Sequence, residues 1–357
     1  MDNFPTRLTA VRESLRRKRL GGFLVTDIVN VRYLSGFTGS SAFLFITVDK
    51  NVFVTDFRYK EQAGNEVPGW DIIIEKGNRI EVIENLVKKT GIGTLGFEPT
   101  VSYGFYRKLS KTGPILSDTE GLVEKIREIK EASEIDKVRE AVRRAEHAFL
   151  EVKPYIREGA SENKIAQRLE ERLKKNGCCG IPFDIIVASG ENSAMPHAKP
   201  TRKRFQKGDL VTIDWGGEAD GYFSDMTRTF LLRGGKDTSK KKDIYRTVLE
   251  ANSIALSLVS PGIRSKKIDS AAREHIRDAG YAESFGHGTG HGVGLQVHEA
   301  PRVTWMEGTI LKKNMVFTIE PGIYIPGLGG VRIEDMVLVK TGTPEILTSL
   351  PKALEVL

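Results

Sequence analysis

Cysteine is nearly absent from the 357 residues: there are two, Cys178 and Cys179, and they are adjacent. Neighbouring cysteines make a poor disulfide, which excludes a disulfide-stapled scaffold and fits a reducing, cytoplasmic setting. Long hydrophobic runs are missing too. Apolar stretches such as 21–25 and 185–188 fall far short of the roughly 18 residues that span a bilayer, so no membrane partner is expected. No apolar signal core opens the chain, since Arg16, Arg17, Lys18 and Arg19 stand where it would have to be. Histidine is scarce at six residues, which makes its distribution informative.

Charge is plentiful and points nowhere in particular. Lys and Arg number 54 against 47 Asp and Glu, a net +7, but basic and acidic residues interleave, as in 120–134. A nucleic-acid face would concentrate its cations beside groove-reading or stacking elements, so no nucleic-acid partner is expected.

At roughly 100–200 residues per domain the length suggests two domains. The first 120 or so residues alternate between helix-like stretches (6–17, 80–89, 103–111) and β-rich runs (23–26, 42–48, 52–55, 93–97), an α/β pattern. The Gly21-Gly22 pair is read as the stop of the first helix. The charged stretch 120–134 reads as a linker, which gives domains 1–124 and 125–357. Beyond it, Ser133 is placed to cap an amphipathic helix whose apolar stripe is Ile135, Val138, Val142, Ala145, Phe149 and Val152. Further helices are expected over Glu162–Lys175, 242–258 and 268–278. Strands are expected over 184–188, 209–215, 222–232, 314–320 and 331–339. Helices interleaved with strands on short turns imply an α+β domain with antiparallel pairs.

The chemistry gathers in that second domain. Asp214 ends the apolar run Leu210-Val-Thr-Ile, and a Gly-rich turn separates it from Asp225. A hairpin centred between Ala219 and Gly221 puts Asp225 opposite Asp214 or one diagonal step away, on the same face either way. Glu320 and Glu334 repeat the arrangement, each at the end of an apolar run across a Gly/Pro-rich connection. Carboxylates converging at apolar strand ends repel one another, and a divalent cation removes the conflict. Three of the six histidines, His287, His291 and His298, fall in the stretch Gly286-His-Gly-Thr-Gly-His-Gly-Val-Gly-Leu-Gln-Val-His-Glu299. Glycines beside them let the backbone approach a metal or substrate closely, though glycine also marks plain loops. Two Asp, two Glu and one His do not make a Cys/His structural zinc site; they suit a pair of harder ions, Mn²⁺ above all, with Co²⁺, Fe²⁺ or Zn²⁺ also accommodated. Such a pair activates water and stabilises developing charge.

In this order and spacing, the two aspartates, the His-rich stretch, Thr318-Ile-Glu-Pro-Gly and Val331-Arg-Ile-Glu-Asp resemble the Xaa-Pro aminopeptidase and prolidase family of pita-bread metallopeptidases. Asn30-Val-Arg-Tyr-Leu-Ser-Gly-Phe and Thr55-Asp-Phe-Arg-Tyr resemble that family's non-catalytic N-terminal domain, so the likeness spans the chain. The resemblance implies a creatinase/prolidase-like α/β domain followed by a pita-bread catalytic domain of antiparallel sheets and covering helices. It implies two metal ions held by Asp214, Asp225, His291, Glu320 and Glu334, with Asp225 and Glu334 bridging, and Glu320 as the proton shuttle. His298, His197 and His287 fall on the family's catalytic and substrate-side histidines, and Arg332 on an arginine that lies behind the ligands or faces the substrate. Phe183 is read as part of the apolar substrate wall, and Arg302 as a cation able to hold a dipeptide's free carboxylate. The implied reaction is hydrolysis, by a metal-activated water, of the bond between an N-terminal residue and a following proline in small peptides, by a homodimer. Removal of the first residue from longer peptides and cleavage of Xaa-Pro dipeptides both remain open. A non-catalytic binding module and a metal-free creatinase-like hydrolase are the rival readings; both would be expected to lose ligand residues, and here all five positions are filled.

Overall fold

Short β-branched runs separated by amphipathic stretches build an open sheet in the first third of the chain. The computed structural model describes residues 3–235, 238–306 and 308–357. It divides into two compact units, Met1–Arg127 and Glu128–Leu357. Among the described residues no helix is long and apolar enough to cross a membrane.

In the first unit six strands lie in the order Asp71–Glu75, Asn51–Asp56, Ala42–Thr47, Gly22–Val25, Thr94–Phe97, Ile115–Asp118. All run parallel except Ala42–Thr47. The first helix, Phe4–Lys18, starts from an Asn3 cap and stops at Arg19, which sits in the left-handed region at φ 56°. Gly22, read from sequence as part of that stop, instead opens a strand. The stretch read as a linker contains a further helix, Glu124–Arg127.

Glu98 follows the strand Thr94–Phe97 and ties this unit together. Its carboxylate accepts from the backbone N–H groups of Thr26 and Asp27 at 2.6 Å and from Asn30 Nδ2 at 2.7 Å. Asn30 in turn reaches Glu124 Oε1 at 2.7 Å and accepts from Arg127 Nη1 at 2.8 Å.

In the second unit the order helix, helix, antiparallel sheet occurs twice. Helices Ala132–Val152 and Glu162–Lys175 precede a sheet of Ile186–Ser189, Leu210–Trp215 and Met226–Leu231. Helices Ser239–Ser257 and Ser265–Asp278 precede a five-stranded sheet, in spatial order Glu299–Val303, Gly290–Gly292, Val316–Ile319, Asp335–Leu338, Glu345–Ile346. The apolar stripe of Ala132–Val152 is buried as its spacing requires, and Phe149 stacks on Trp215 with centroids 4.4 Å apart. Its cap is Glu131 rather than Ser133: Glu131 and Glu134 form a reciprocal capping box, and Ser133 lies inside the first turn.

Burial pushes the Glu98 carboxyl up to about 7 against the pull of its donors. The folded unit therefore holds this proton more tightly than the unfolded chain, whose carboxyl titrates near 4.5. That contribution is fully present below pH 4.5 and is lost as pH rises through 7, by about 3 kcal/mol at most. Urea midpoints of the wild type should fall across this window, and Glu98→Gln should flatten the slope. An unchanged slope in the variant would show that Glu98 does not set it.

Candidate metal centre

The first hairpin delivers two carboxylates. Asp214 lies opposite Thr227 and Trp215 opposite Met226. The turn is Asp220-Gly221, both with positive φ (49° and 83°), the geometry that lets a two-residue connection follow the strand twist. The tip segments Glu218–Ala219 and Tyr222–Phe223 keep the same register. Pairing lapses between tip and body, and Asp225 sits in that gap, one diagonal step from Asp214 on the same face.

A second hairpin repeats this. Ile319 pairs with Asp335 and Gly322 with Arg332, and Ile333 N–H donates to Pro321 O between them. One register thus runs through both segments, and Glu320 and Glu334 face each other where the ladder breaks. The run 331–339, expected as one strand, is therefore two, Gly329–Arg332 and Asp335–Leu338. A β-bridge, Glu334 N–H to Thr227 O at 3.2 Å, joins the two hairpins. His291 comes from the strand Gly290–Gly292. The glycine before it serves the sheet: a Cβ on Gly290 would lie 1.8 Å from Thr318 O.

These elements close around a cavity of about 540 Å³. Asp214, Asp225, His291, Glu320 and Glu334 border it, as do His197, His287, His298, Phe183, Arg302 and Arg332. His291 Nε2 lies 3.6 Å from Asp225 Oδ2 and 3.4 Å from Glu320 Oε1. Asp225, His291 and Glu334 each bring a ligand atom within 4.8 Å of the other two.

The electrostatics are those of a cation site. Burial, then the charge of Glu334, drives the Asp225 carboxyl far above the ordinary range; burial and Glu320 do the same to Glu334. Glu320 is also raised by burial. Among the described residues, Asp214 Oδ1 is buried with no hydrogen-bond partner. A buried acceptor without a donor is costly, and four acids around one imidazole form the oxygen-rich donor set that harder divalent ions favour. Burial holds His291 and His287 below the usual imidazole range. His298, its ring 4.3 Å from that of His291, is pushed down to about 4 by burial and by its neighbour.

Arg332 is almost wholly buried. Its Nη2 reaches Asp214 Oδ2 at 2.7 Å, its Nη1 reaches Tyr324 OH at 2.8 Å and Pro196 O at 3.2 Å, and its Nε reaches Thr227 Oγ1 at 3.1 Å. Those nitrogens are engaged inside the protein, and the side chain also borders the cavity. Thr227 passes the constraint on, donating to Glu334 Oε2 at 2.7 Å. Tyr324 OH also meets His287 Nε2 at 3.0 Å. Neither Thr227 nor Tyr324 was singled out in the sequence. The available signal was positional: Thr227 is two residues past Asp225 on the same strand face.

Residues 136–341 match metallopeptidase family M24, and residues 7–129 match the creatinase/prolidase N-terminal domain. The chain belongs to metallopeptidase family M24. Its second unit has the pita-bread fold of that family, preceded by the creatinase/prolidase-type α/β domain, an α+β architecture overall. An uncharacterized peptidase, YqhT, of Bacillus subtilis is 40% identical over 98% of this chain and 100% of its own length. The structure of an Xaa-Pro dipeptidase from Bacillus anthracis superposes with a TM-score of 0.96 at 40% identity, covering 99% of this chain and 100% of that one. An X-Pro aminopeptidase from Thermotoga maritima superposes at 0.87 with 37% identity, covering 96% and 100%.

Groups that orient metal ligands tune metal affinity, typically by about 10–100-fold. Thr227→Val keeps the shape and removes the hydroxyl that links Arg332 to Glu334. Titration calorimetry with Mn²⁺ should show at least one ion bound about 10–100-fold more weakly in this variant. Unchanged affinity would exclude the relay.

Proposed function

We propose that this chain is a dinuclear-metal exopeptidase that hydrolyses the bond between an N-terminal residue and a following proline. The observation that carries the reading is the convergence of Asp214, Asp225, His291, Glu320 and Glu334 in one buried cavity bordered by three further histidines. Relatives named as Xaa-Pro dipeptidase and X-Pro aminopeptidase support the proline preference. So does the apolar wall of Phe183, Ile185 and Ile186, which suits a pyrrolidine ring.

The four acids and one imidazole would hold two divalent ions, Mn²⁺ best matching the carboxylate-rich set. Bound there, the ions supply Lewis acidity at the scissile carbonyl and a water of lowered pKa. The residues do the rest. Glu320 accepts the proton of the attacking water and returns it to the prolyl nitrogen, which as a tertiary amide carries none. His298 and His197 border the cavity where N–H groups can meet the developing oxyanion, and His287 is fixed by Tyr324. Arg332 and Thr227 keep Asp214 and Glu334 from turning away from each other's company.

We read the enzyme first as an aminopeptidase acting on peptides longer than two residues. Arg302 favours a second reading, a dipeptidase. It lies directly opposite His291 across the strand pair, is exposed at the cavity, and makes no ion pair among the described residues. A free carboxylate one residue beyond the scissile bond would meet it.

After metal removal and restoration of Mn²⁺, the wild type should cleave an Xaa-Pro-Xaa tripeptide. Cleavage of an Xaa-Pro dipeptide alone would decide for the dipeptidase, and cleavage of neither would overturn both. Glu334→Ala should bind one ion fewer and lose turnover by about 10³-fold or more; full activity with both ions retained would sink the assignment. If Arg302 anchors a dipeptide, Arg302→Ala should raise KM for it about 10–100-fold with kcat little changed.

A further inference from the structure

A second cavity lies on the other side of the apolar wall. Phe183, Asp184, Ile185, Lys199 and Pro200 border the first cavity on one side and on the other border this second one, of about 520 Å³. The far bank of this groove is helix Glu162–Lys175. Asn163, Ala166, Gln167 and Glu170 recur there at intervals of three and four, one stripe down the helix, while Ile165, Leu169 and Leu173 bury the opposite side.

The stripe is unlike the rest of the helix, which is dense in Lys, Arg and Glu. Its first three positions are uncharged, and Glu170 at the far end is paired with Lys174 at 2.6 Å. Asn163 Oδ1 accepts from Ser161 Oγ at 2.8 Å, but its Nδ2 and the whole Gln167 amide have no partner among the described residues. Side-chain amides of this kind both donate to and accept from a peptide backbone. The frame is also fixed before any ligand arrives. The fully buried Glu162 accepts from Ser189 N–H at 2.8 Å, Thr201 N–H at 3.0 Å and Asn192 Nδ2 at 3.0 Å. Asn163 N–H donates to Thr201 O at 2.9 Å. The helix is thereby pinned to both flanks of the segment that carries His197.

An exopeptidase that removes one residue must let the remaining chain leave the catalytic pocket. We infer that this groove is that exit: it seats the residues following the proline, with Asn163 and Gln167 hydrogen-bonding their backbone. The inference rests on the peptidase reading and deepens it, since it names peptides of three or more residues as the substrates the enzyme handles best.

Steady-state hydrolysis of Ala-Pro, Ala-Pro-Ala and Ala-Pro-Ala-Ala by the Mn²⁺-restored enzyme tests it. For the wild type, kcat/KM should rise along the series. Ala166→Trp, which fills the groove, should lower kcat/KM for the two longer peptides at least 10-fold relative to Ala-Pro. Gln167→Ala, a milder change at an exposed position, should raise KM for the tetrapeptide about 5-fold at constant kcat, the loss of one neutral hydrogen bond. Both variants leaving the ratio of long to short substrate unchanged would overturn the exit groove. So would a wild type that cleaves only Ala-Pro, although the peptidase reading would then stand. No cleavage of any of the three would overturn the peptidase reading and the groove with it.

Discussion

Carboxylates gathered away from water repel one another, and this repulsion is the constraint to which the second unit is built. Burial drives Asp225, Glu320 and Glu334 toward the protonated form, and the charge of Asp214 adds to it at all three, as does that of Glu334 at Asp225 and that of Glu320 at Glu334. Left without a cation, such a cluster would favour strand ends that splay apart. The fold denies that escape with a second set of interactions on the far side of the same strands. Arg228 ion-pairs with Asp335 at 2.8 Å and donates to Glu334 O at 2.6 Å; Lys352 reaches Asp335 at 2.9 Å. Burial opposes the charge on Asp335, but Arg228 and Lys352 outweigh it and hold its carboxyl below the ordinary range. Adjacent acids thus end in opposite conditions: Asp335 is paired with the protein's own cations, and the Glu334 carboxyl borders the cavity with its proton affinity raised by burial.

The two hairpins solve the same problem by the same means. Each is a regular ladder with one lapse in pairing: the first lapse holds Asp225, and the second holds Glu320 and Glu334. Threonines stitch the hairpins together: Thr229 Oγ1 donates to Arg332 O at 2.9 Å and Thr212 Oγ1 to Gly330 O at 3.2 Å, flanking the bridge made by Thr227 and Glu334. Packing then makes the seam rigid. Trp215 Nε1 donates to Ala145 O at 3.0 Å, and Asn252 Nδ2 donates to Ile319 O at 3.1 Å and Ile333 O at 3.3 Å. A helix from each half therefore holds the strand ends that border the cavity.

Much of this could be read from residue order because it depends on period and position. The helix Glu162–Lys175 and the stripe from Ile135 to Val152 follow from apolar spacing, and the alternation of side chains puts Asp214 and Asp225 on one face whether they lie directly opposite or one diagonal step apart. What escaped were features set by partners distant in sequence. Nothing near Arg332 announces that its donors converge on Asp214, Tyr324 and Thr227, or that Ile333 and Glu334 interrupt a strand. Glu131 displaced Ser133 as a cap because a reciprocal pair satisfies two backbone donors where a serine satisfies one. The twofold order of helix pair and sheet was likewise invisible, since the two halves share a pattern of burial and not of residues.

The uninterrupted register through the second hairpin bears on how its chain length can vary. Ile325 pairs with Gly329 across the tip formed by residues 326–328, while Glu320 and Glu334 face each other several pairs further in. Residues added or removed at that tip lengthen or shorten the connection without disturbing which residues oppose one another below it. One residue inserted between the tip and either glutamate would instead slide one edge of the ladder and turn that carboxylate to the outer face. The separation of the two acids along the chain is therefore free to drift, whereas their parity relative to the paired strands is not.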